Sequence, residues 1–221
     1  SCSRSATTPI TSSSTSSSKG DWGGFGRTFL AAATLLAAAL LALAFLIDPY
    51  DSGRSPLKLK AGVSPQGPRT AAASRGRDPA FAGAVFGNSH VQLISPEQLT
   101  QQTGIPFVSL IAPATGARET LVLLDWFLRN RKEPARALVI GIDRQWCFAD
   151  PNRPVDHPFP FWLYERSQLA YLRGLLRFDA VEESLRRLGY LAASSPERAR
   201  PDGYWDYESG YEAHGYVAVQ K

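Results

Sequence analysis

The amino-acid sequence predicts an α/β domain with a parallel sheet, preceded by one N-terminal transmembrane helix. Three short apolar runs, at residues 82–86, 106–111 and 137–142, have the length and composition of buried strands. Helix-like segments separate these runs, and connections of that length allow right-handed crossovers between parallel strands. In addition, the uncharged stretch 28–47 is long enough to cross a bilayer as a helix.

The segments between the predicted strands carry the signals of helices. Ser95 and Pro96 are typical of an N-cap and a first helical position, and Gly104 is typical of a helix end. A longer amphipathic segment follows at residues 118–131, with apolar side chains at helical spacing. Two further amphipathic helices are predicted at residues 166–176 and 180–191. We therefore expect the three strands to lie adjacent and parallel in one sheet.

Each predicted strand ends in small or polar residues. The first is followed by Gly87, Asn88 and Ser89, the second by a turn that contains Gly116, and the third by Asp143. Sites in open α/β sheets lie beyond the carboxyl ends of the strands. We therefore expect Ser89, Gly116 and Asp143 to converge at one sheet edge. The simpler interpretation of Gly87, Asn88 and Ser89 is an ordinary turn.

These motifs resemble those of the SGNH (GDSL-like) hydrolase superfamily, in particular its membrane-anchored bacterial envelope members related to alginate O-acetylation proteins. The resemblance covers about residues 81–144. It implies a three-layer, flavodoxin-like fold, with Ser89 as nucleophile and with Gly116 and position 143 as donors to an oxyanion. Two positions depart from the family pattern, because Asn88 replaces an aspartate and Asp143 replaces an asparagine. A carboxylate at 143 cannot donate a hydrogen bond to an oxyanion.

The general base is the missing part of the predicted site. The family takes it from an Asp-x-x-His motif, which none of the three histidines matches. His90 adjoins Ser89, and we expect it to be a satisfied polar residue at a helix start. His157, in a proline-rich loop, and His214, near the C-terminus, are weak candidates for the base. We therefore interpret the sequence as a C-terminally truncated fragment, which should hydrolyse an aryl acetate no faster than its Ser89→Ala variant.

The N-terminal part predicts a membrane anchor. Residues 1–27 form a Ser/Thr-rich tail expected to be disordered, and residues 28–47 form the span. A cleaved signal peptide is the alternative, although the apolar run is longer than a usual signal core. Residues 48–78 are predicted to be a solvated juxtamembrane linker with a short helix, and residues 79–221 the α/β domain. The flanking charges do not set the orientation; the family resemblance implies an inner-membrane protein with a periplasmic or other extracytoplasmic domain.

The composition excludes several other classes of function. A net charge of +4 is too small and too dispersed to indicate nucleic-acid binding. Cys2 and Cys147 lie on opposite sides of the predicted span, so we expect no disulfide, and no metal-ligand spacing or cofactor motif is found. We expect Cys147 to be buried. Phe161 and Trp162 either wall a cleft against sugar rings or anchor a loop to the core.

Three functions follow from these observations. The first is an envelope-anchored ester hydrolase or O-acyltransferase that acts on an acylated glycan through Ser89. The second is a non-catalytic SGNH-like subunit of an envelope polysaccharide complex, which the departures at Asn88 and Asp143 favour. The third is a membrane-tethered interaction domain in which Ser89 belongs to a turn.

Overall fold

The structure is a computed structural model that describes residues 22–62, 67–148, 150, 157–192 and 200–204. The chain divides into two compact units, residues 1–38 and residues 39–221. Within the described residues, the first unit holds the N-terminal part of one long helix. The second unit holds the end of that helix and all other described elements.

A three-stranded parallel sheet forms the centre of the second unit. The strand order is β2-β1-β3, and both outer strands run parallel to β1, as the sequence predicts. Gly83 lies opposite both Phe107 and Ala137, which sets the register on the two sides. Every residue of β1 is buried, because a central strand is covered on both faces and both edges. The strands are β1 (Gly83–Gly87), β2 (Phe107–Ile111) and β3 (Ala137–Ile140).

The helices begin and end close to the positions that their capping residues predict. The Ser95 side chain accepts a hydrogen bond from the Gln98 amide at 3.3 Å, and Gly104 ends the same helix with φ of 66°. The first helix extends beyond the predicted span at its N-terminal end. The helices are α1 (Trp22–Ile47), α2 (Pro68–Arg77), α3 (Pro96–Thr103), α4 (Ala117–Arg129), α5 (Phe161–Tyr164), α6 (Gln168–Leu175) and α7 (Phe178–Leu191). Two 3₁₀ turns lie at Ser89–Val91 and Arg144–Cys147.

Helices cover both faces of the sheet, which makes the fold α/β. Phe86 of β1 points to the larger core, where its ring packs edge-to-face on Phe127 of α4 at 5.9 Å. Val85 points to the opposite face and belongs to a smaller cluster with Leu99 of α3 packed against it. Residues of β3 that share the face of Phe86 are 37–40% exposed. In the described part of the chain, β3 is therefore an edge strand with exposed apolar side chains.

Helix α1 is the one described helix that is long and apolar enough to cross a membrane, with a mean hydropathy of 2.6 and 11% of its most apolar window buried. A signal sequence meets the same criteria of length and composition. Within the second unit, Ala44 and Ile47 are buried at 3% and 6% exposure. The last turns of α1 are therefore not only apolar but also packed against other parts of the second unit.

Residues 48–62 and 67–78 are packed into the second unit, whereas the sequence analysis treats this region as a solvated linker. The Asp48 carboxylate is buried and accepts hydrogen bonds from the Ser52 amide at 2.9 Å and the Tyr171 hydroxyl at 3.0 Å. Six residues of α2 are also buried. The physical reason is that buried carboxylates on this segment find donors from distant helices, which composition alone does not reveal.

Candidate functional site at the carboxyl edge of the sheet

The loops after the three strands meet at the side chain of Asn88. Asn88 directly follows β1, the central strand, and is 8% exposed. Its amide nitrogen donates to the Thr115 carbonyl of the loop after β2, at 3.3 Å, and to the Asp143 carboxylate of the loop after β3. Both N–H bonds of this amide are therefore used, and they join all three loops.

Asp143 is the acceptor at the centre of this cluster. It takes hydrogen bonds from Asn88, from the Gln145 amide at 2.9 Å, and from the His90 ring at 3.1 Å. Burial alone would raise the pKa of Asp143, but the hydrogen bonds from Asn88, Gln145 and His90 hold it below its usual value. Asp143 is therefore a carboxylate at neutral pH and can only accept hydrogen bonds.

His90 has an acidic partner that its position in the sequence does not indicate. Its backbone amide donates to Asn88 Oδ1 at 3.0 Å, and its Nδ1 lies 3.1 Å from Asp143 Oδ2. Because a carboxylate only accepts, this hydrogen bond uses the tautomer of the neutral ring that has its proton on Nδ1 and Nε2 as the accepting nitrogen. The His90 side chain is 72% exposed, so this nitrogen is on the solvent side of the cluster.

Ser89 is exposed at the carboxyl end of β1, in the first 3₁₀ turn. The preceding Gly87 has φ of 147°, and a methyl group on it would lie 2.6 Å from Val91 Cγ2. Gly141, after β3, also touches Val91, and a methyl group there would lie 2.6 Å from its Cγ1. The absence of side chains on Gly87 and Gly141 therefore lets Val91, the last residue of the Ser89 turn, pack between the ends of β1 and β3.

Gly116 lies in the same edge of the sheet, but its amide already has an acceptor. It is the N-cap of α4, and its N–H donates to the Glu119 carboxylate at 2.9 Å. Glu119 is 4% exposed, so this pair is held inside the protein. In the described arrangement, Gly116 therefore serves the start of α4 rather than pointing an unpaired donor at the space near Ser89.

The other predicted site residues lie elsewhere or outside the described residues. His157 is exposed, and His214 lies outside the described part of the chain. Cys147 is exposed rather than buried, because it ends the second 3₁₀ turn at the surface. Among the residues described, no group of three or more His, Cys, Asp or Glu side chains is arranged to hold a metal ion.

Phe161 and Trp162 pack against the larger core and thus anchor their segment to the domain. Phe161 also lines a groove of about 590 Å³ with Leu121 and Asp125 of α4. Ser89 is not among the residues that line this groove. Of the two alternatives for these aromatic rings, the contacts in this structure fit the one in which they anchor the segment to the core.

Sequence analysis missed the pairings among Asn88, Thr115 and Asp143, and it missed the role of Glu119. Glu119 follows Gly116 by three residues, the spacing of a capping box, which was the available signal. The pairing of Asn88 with Asp143 had no local signal, since 55 residues separate them. Comparisons of the chain with family models, with curated proteins and with solved structures found no match.

Proposed function

We propose that the protein is a membrane-anchored SGNH-like enzyme, an ester hydrolase or O-acyltransferase, that acts on an acylated glycan of the cell envelope through Ser89. One observation carries the proposal. An exposed serine stands at the carboxyl end of the central parallel strand, and the next residue in the sequence is a histidine whose ring is paired with an aspartate. Strand order reverses around β1, and such switch points are where open α/β sheets bind ligands.

The chemistry assigned to these residues is acyl transfer in two steps. Ser89 Oγ attacks the acyl carbon of the ester, and its proton passes to His90 Nε2, directly or through a water molecule. The alcohol then takes that proton and leaves, so that the acyl group is bonded to Ser89. Water or a glycan hydroxyl attacks the carbonyl carbon of this acyl-enzyme and gives its proton to His90. The bond between the acyl group and Ser89 Oγ then breaks, His90 passes that proton to Ser89 Oγ, and the acid or the acylated glycan leaves. Asp143 holds the His90 ring and stabilises its charged form.

The set of oxyanion donors limits the expected rate. The backbone N–H of Ser89 is one donor, whereas the Gly116 amide is bonded to Glu119 and the Asp143 carboxylate cannot donate. The loss of one oxyanion donor typically lowers kcat by about 10²–10³. We therefore expect slow turnover of an activated ester, unless substrate binding frees the Gly116 amide from Glu119.

The proposed location is the inner membrane, with α1 retained as a single-pass anchor and the domain on the periplasmic side. The length and apolar composition of α1 support the anchor. The burial of Ala44 in the larger core of the second unit also supports it, because cleavage just after Ala44 would remove part of that core. The glycan substrate and the periplasmic side follow from the resemblance to envelope SGNH proteins.

The test is hydrolysis of a model aryl acetate by the full chain in detergent or vesicles. We expect Ser89→Ala to reduce the rate to the background, and His90→Gln to reduce it without changing the fold. The matched control is Thr103→Ala, which removes an exposed hydroxyl whose hydrogen bonds, to the Leu99 carbonyl and from the Ile105 amide, lie at the end of α3. If Ser89→Ala and the parent chain hydrolyse the ester equally, the enzymatic proposal is contradicted.

A non-catalytic SGNH-like subunit of an envelope polysaccharide complex is the second candidate. The commitment of the Gly116 amide to Glu119, together with the acceptor character of Asp143, favours it specifically. This candidate predicts no rate that depends on Ser89, although the protein would still bind glycan. This candidate would be supported if the parent chain and Ser89→Ala were retained equally on an acetylated envelope polysaccharide and neither showed turnover.

A further inference from the structure

The corner between α6 and α7 exposes apolar side chains flanked by arginines. Leu169, Leu176 and Phe178 are 56%, 62% and 81% exposed, which is unusual for residues so close together. Leu169 and the partly buried Leu172 lie on one face of α6, three residues apart, and Leu176 is the residue at which the helix ends. We call this surface the corner patch: Leu169, Leu172, Arg173, Leu176, Arg177 and Phe178.

Hydrogen bonds tie α6 to the segment that directly follows α1. The Arg54 guanidinium donates to the Ser167 carbonyl at 3.4 Å and to the Gln168 side chain at 3.1 Å. The Tyr171 hydroxyl donates to Asp48, the first residue after α1, at 3.0 Å. The start of the corner patch therefore lies next to the point where the apolar helix ends.

Aromatic rings connect the same point to the other end of the patch. Tyr50 packs edge-to-face on Trp162, with 5.5 Å between ring centroids. The guanidinium of Arg177 lies 5.9 Å from the Trp162 ring. Burial is the main cause that raises the pKa of Tyr50, and the charges of Glu183 and Asp179 on α7 add to it. Tyr50 therefore lies close to α7. Arg177 is thus separated from the third residue after α1 by a single aromatic ring.

From these contacts we infer that the corner patch inserts into the headgroup region of the same bilayer that holds α1, and that its partner is an anionic phospholipid surface. Transfer of leucine and phenylalanine side chains from water to the boundary between headgroups and acyl chains is favourable. Arginines at that depth bind lipid phosphates, and tyrosine and tryptophan favour the same layer. This inference rests on the proposed retention of α1 as a membrane anchor.

The test places an environment-sensitive fluorophore on the patch of the full chain. Cys2 and Cys147 are changed to serine, and a single cysteine is introduced as Phe178→Cys or, as the control, Leu93→Cys. Leu93 is also well exposed, at 58%, and lies in the segment between the Ser89 turn and α3. Each NBD-labelled protein is reconstituted into vesicles of phosphatidylcholine and phosphatidylglycerol, with and without a lipid that carries a quencher at its headgroup end.

We expect the label at 178 to fluoresce at least about twofold more strongly in vesicles than in denatured protein without detergent, since the fluorophore leaves water on insertion. We also expect the lipid that carries the quencher to reduce this fluorescence. The label at 93 should not be quenched. Arg173→Glu combined with Arg177→Glu should weaken quenching at 178, since each arginine near an anionic surface contributes about a fivefold preference.

Equal quenching at 178 and 93 in protein that resists alkaline carbonate extraction overturns the inference and leaves the anchor intact. Release of the protein by carbonate overturns the anchor on which the inference rests, and the patch proposal with it. Neither result bears on whether Ser89 turns over an ester in detergent. Unchanged quenching in the double arginine variant would contradict the assignment to anionic lipid.

Discussion

At the scale of single residues, the two departures from the SGNH pattern are partners in space. The family resemblance places an aspartate at position 88 and an asparagine at position 143, and this chain has the reverse. In the structure, the Asn88 amide donates to the Asp143 carboxylate. One amide faces one carboxylate, so donor and acceptor are matched even though both residues differ from the family pattern.

This pairing predicts strong coupling between the two positions. Asn88→Asp alone would set two carboxylates within hydrogen-bond reach of each other and leave the Thr115 carbonyl without its donor. We expect it to lower the free energy of unfolding by about 1–3 kcal/mol. The double variant Asn88→Asp with Asp143→Asn restores a donor and an acceptor between the two positions but not the donor to the Thr115 carbonyl, so we expect it to recover part of that loss.

The measurement is a double-mutant cycle by chemical denaturation, followed by tryptophan fluorescence in detergent. A coupling energy of about 1–2 kcal/mol would be in line with residues that share one hydrogen-bond network. Independent, additive effects of the two substitutions would show that the contact has no energetic importance.

Sequence reasoning located the residues of this site but not their partners. Ser89, Asn88 and Asp143 could be predicted to share the carboxyl edge, because parallel strands bring their ends together. The bond from His90 to Asp143 could not be predicted, because it depends on the direction of two side chains in turns that are far apart in sequence. The hydrogen bond from Gly116 to Glu119 was predictable from sequence, because the two residues have the spacing of a capping box.

At the scale of elements, the segment after α1 is held by buried charges. Asp51 pairs with Arg77 of α2 and lies 3.7 Å from Arg187 of α7. Arg187 is fully buried and also donates to the carbonyls of Gly62 and Lys60. These contacts attach residues 48–62, which the sequence predicts to be a solvated linker, to α2 and α7. We call the cluster of Asp51, Arg77 and Arg187 the clamp.

Strand and helix positions were predictable from hydrophobic periodicity. The clamp was not, because charged residues in a Pro/Gly-rich stretch usually indicate a solvated segment.

The clamp predicts a large difference between adjacent arginines on α7. We expect Arg187→Ala to lower the free energy of unfolding by about 1–3 kcal/mol for each of the two carbonyls, of Gly62 and Lys60, that lose this donor. Asp51 loses one neighbouring cation but keeps its hydrogen bonds from Arg77 and Ser74. The matched control is Arg186→Ala, whose side chain is 46% exposed and pairs with Glu182 and Glu183. A surface pair of this kind contributes about 0–1 kcal/mol. Equal destabilisation in urea unfolding of the two variants would contradict the clamp.

At the scale of the whole molecule, the predicted single-pass anchor accounts for the long apolar helix. Its length and hydropathy were evident from sequence, and the packing of Ala44 and Ile47 on the second unit was not. We expect the mature protein to stay in the membrane pellet after alkaline carbonate, with residues 28–47 still attached. A mature N-terminus just after Ala44, found by mass spectrometry, would instead identify a cleaved signal peptide.

The activity of the whole chain is where sequence and structure lead to different expectations. No histidine stands in a sequence setting that supplies both a base for Ser89 and a group that orients that base, and the sequence therefore predicts no hydrolysis beyond that of Ser89→Ala. The structure supplies an acidic partner, with His90 and Asp143 at 3.1 Å. That pair is the reason for the proposed Ser89-dependent turnover, so one assay separates the two expectations.

The most direct measurement of the central claim is covalent capture of Ser89 by a fluorophosphonate, read by mass spectrometry of the proteolysed full chain. An activated serine attacks phosphorus and keeps the adduct, without any need to know the natural glycan or acyl group. We predict an adduct on the peptide that contains Ser89, abolished in Ser89→Ala, weakened in His90→Gln, and absent from protein denatured before labelling. An unmodified Ser89, or equal labelling in native and denatured protein, would contradict the assignment of Ser89 as a nucleophile.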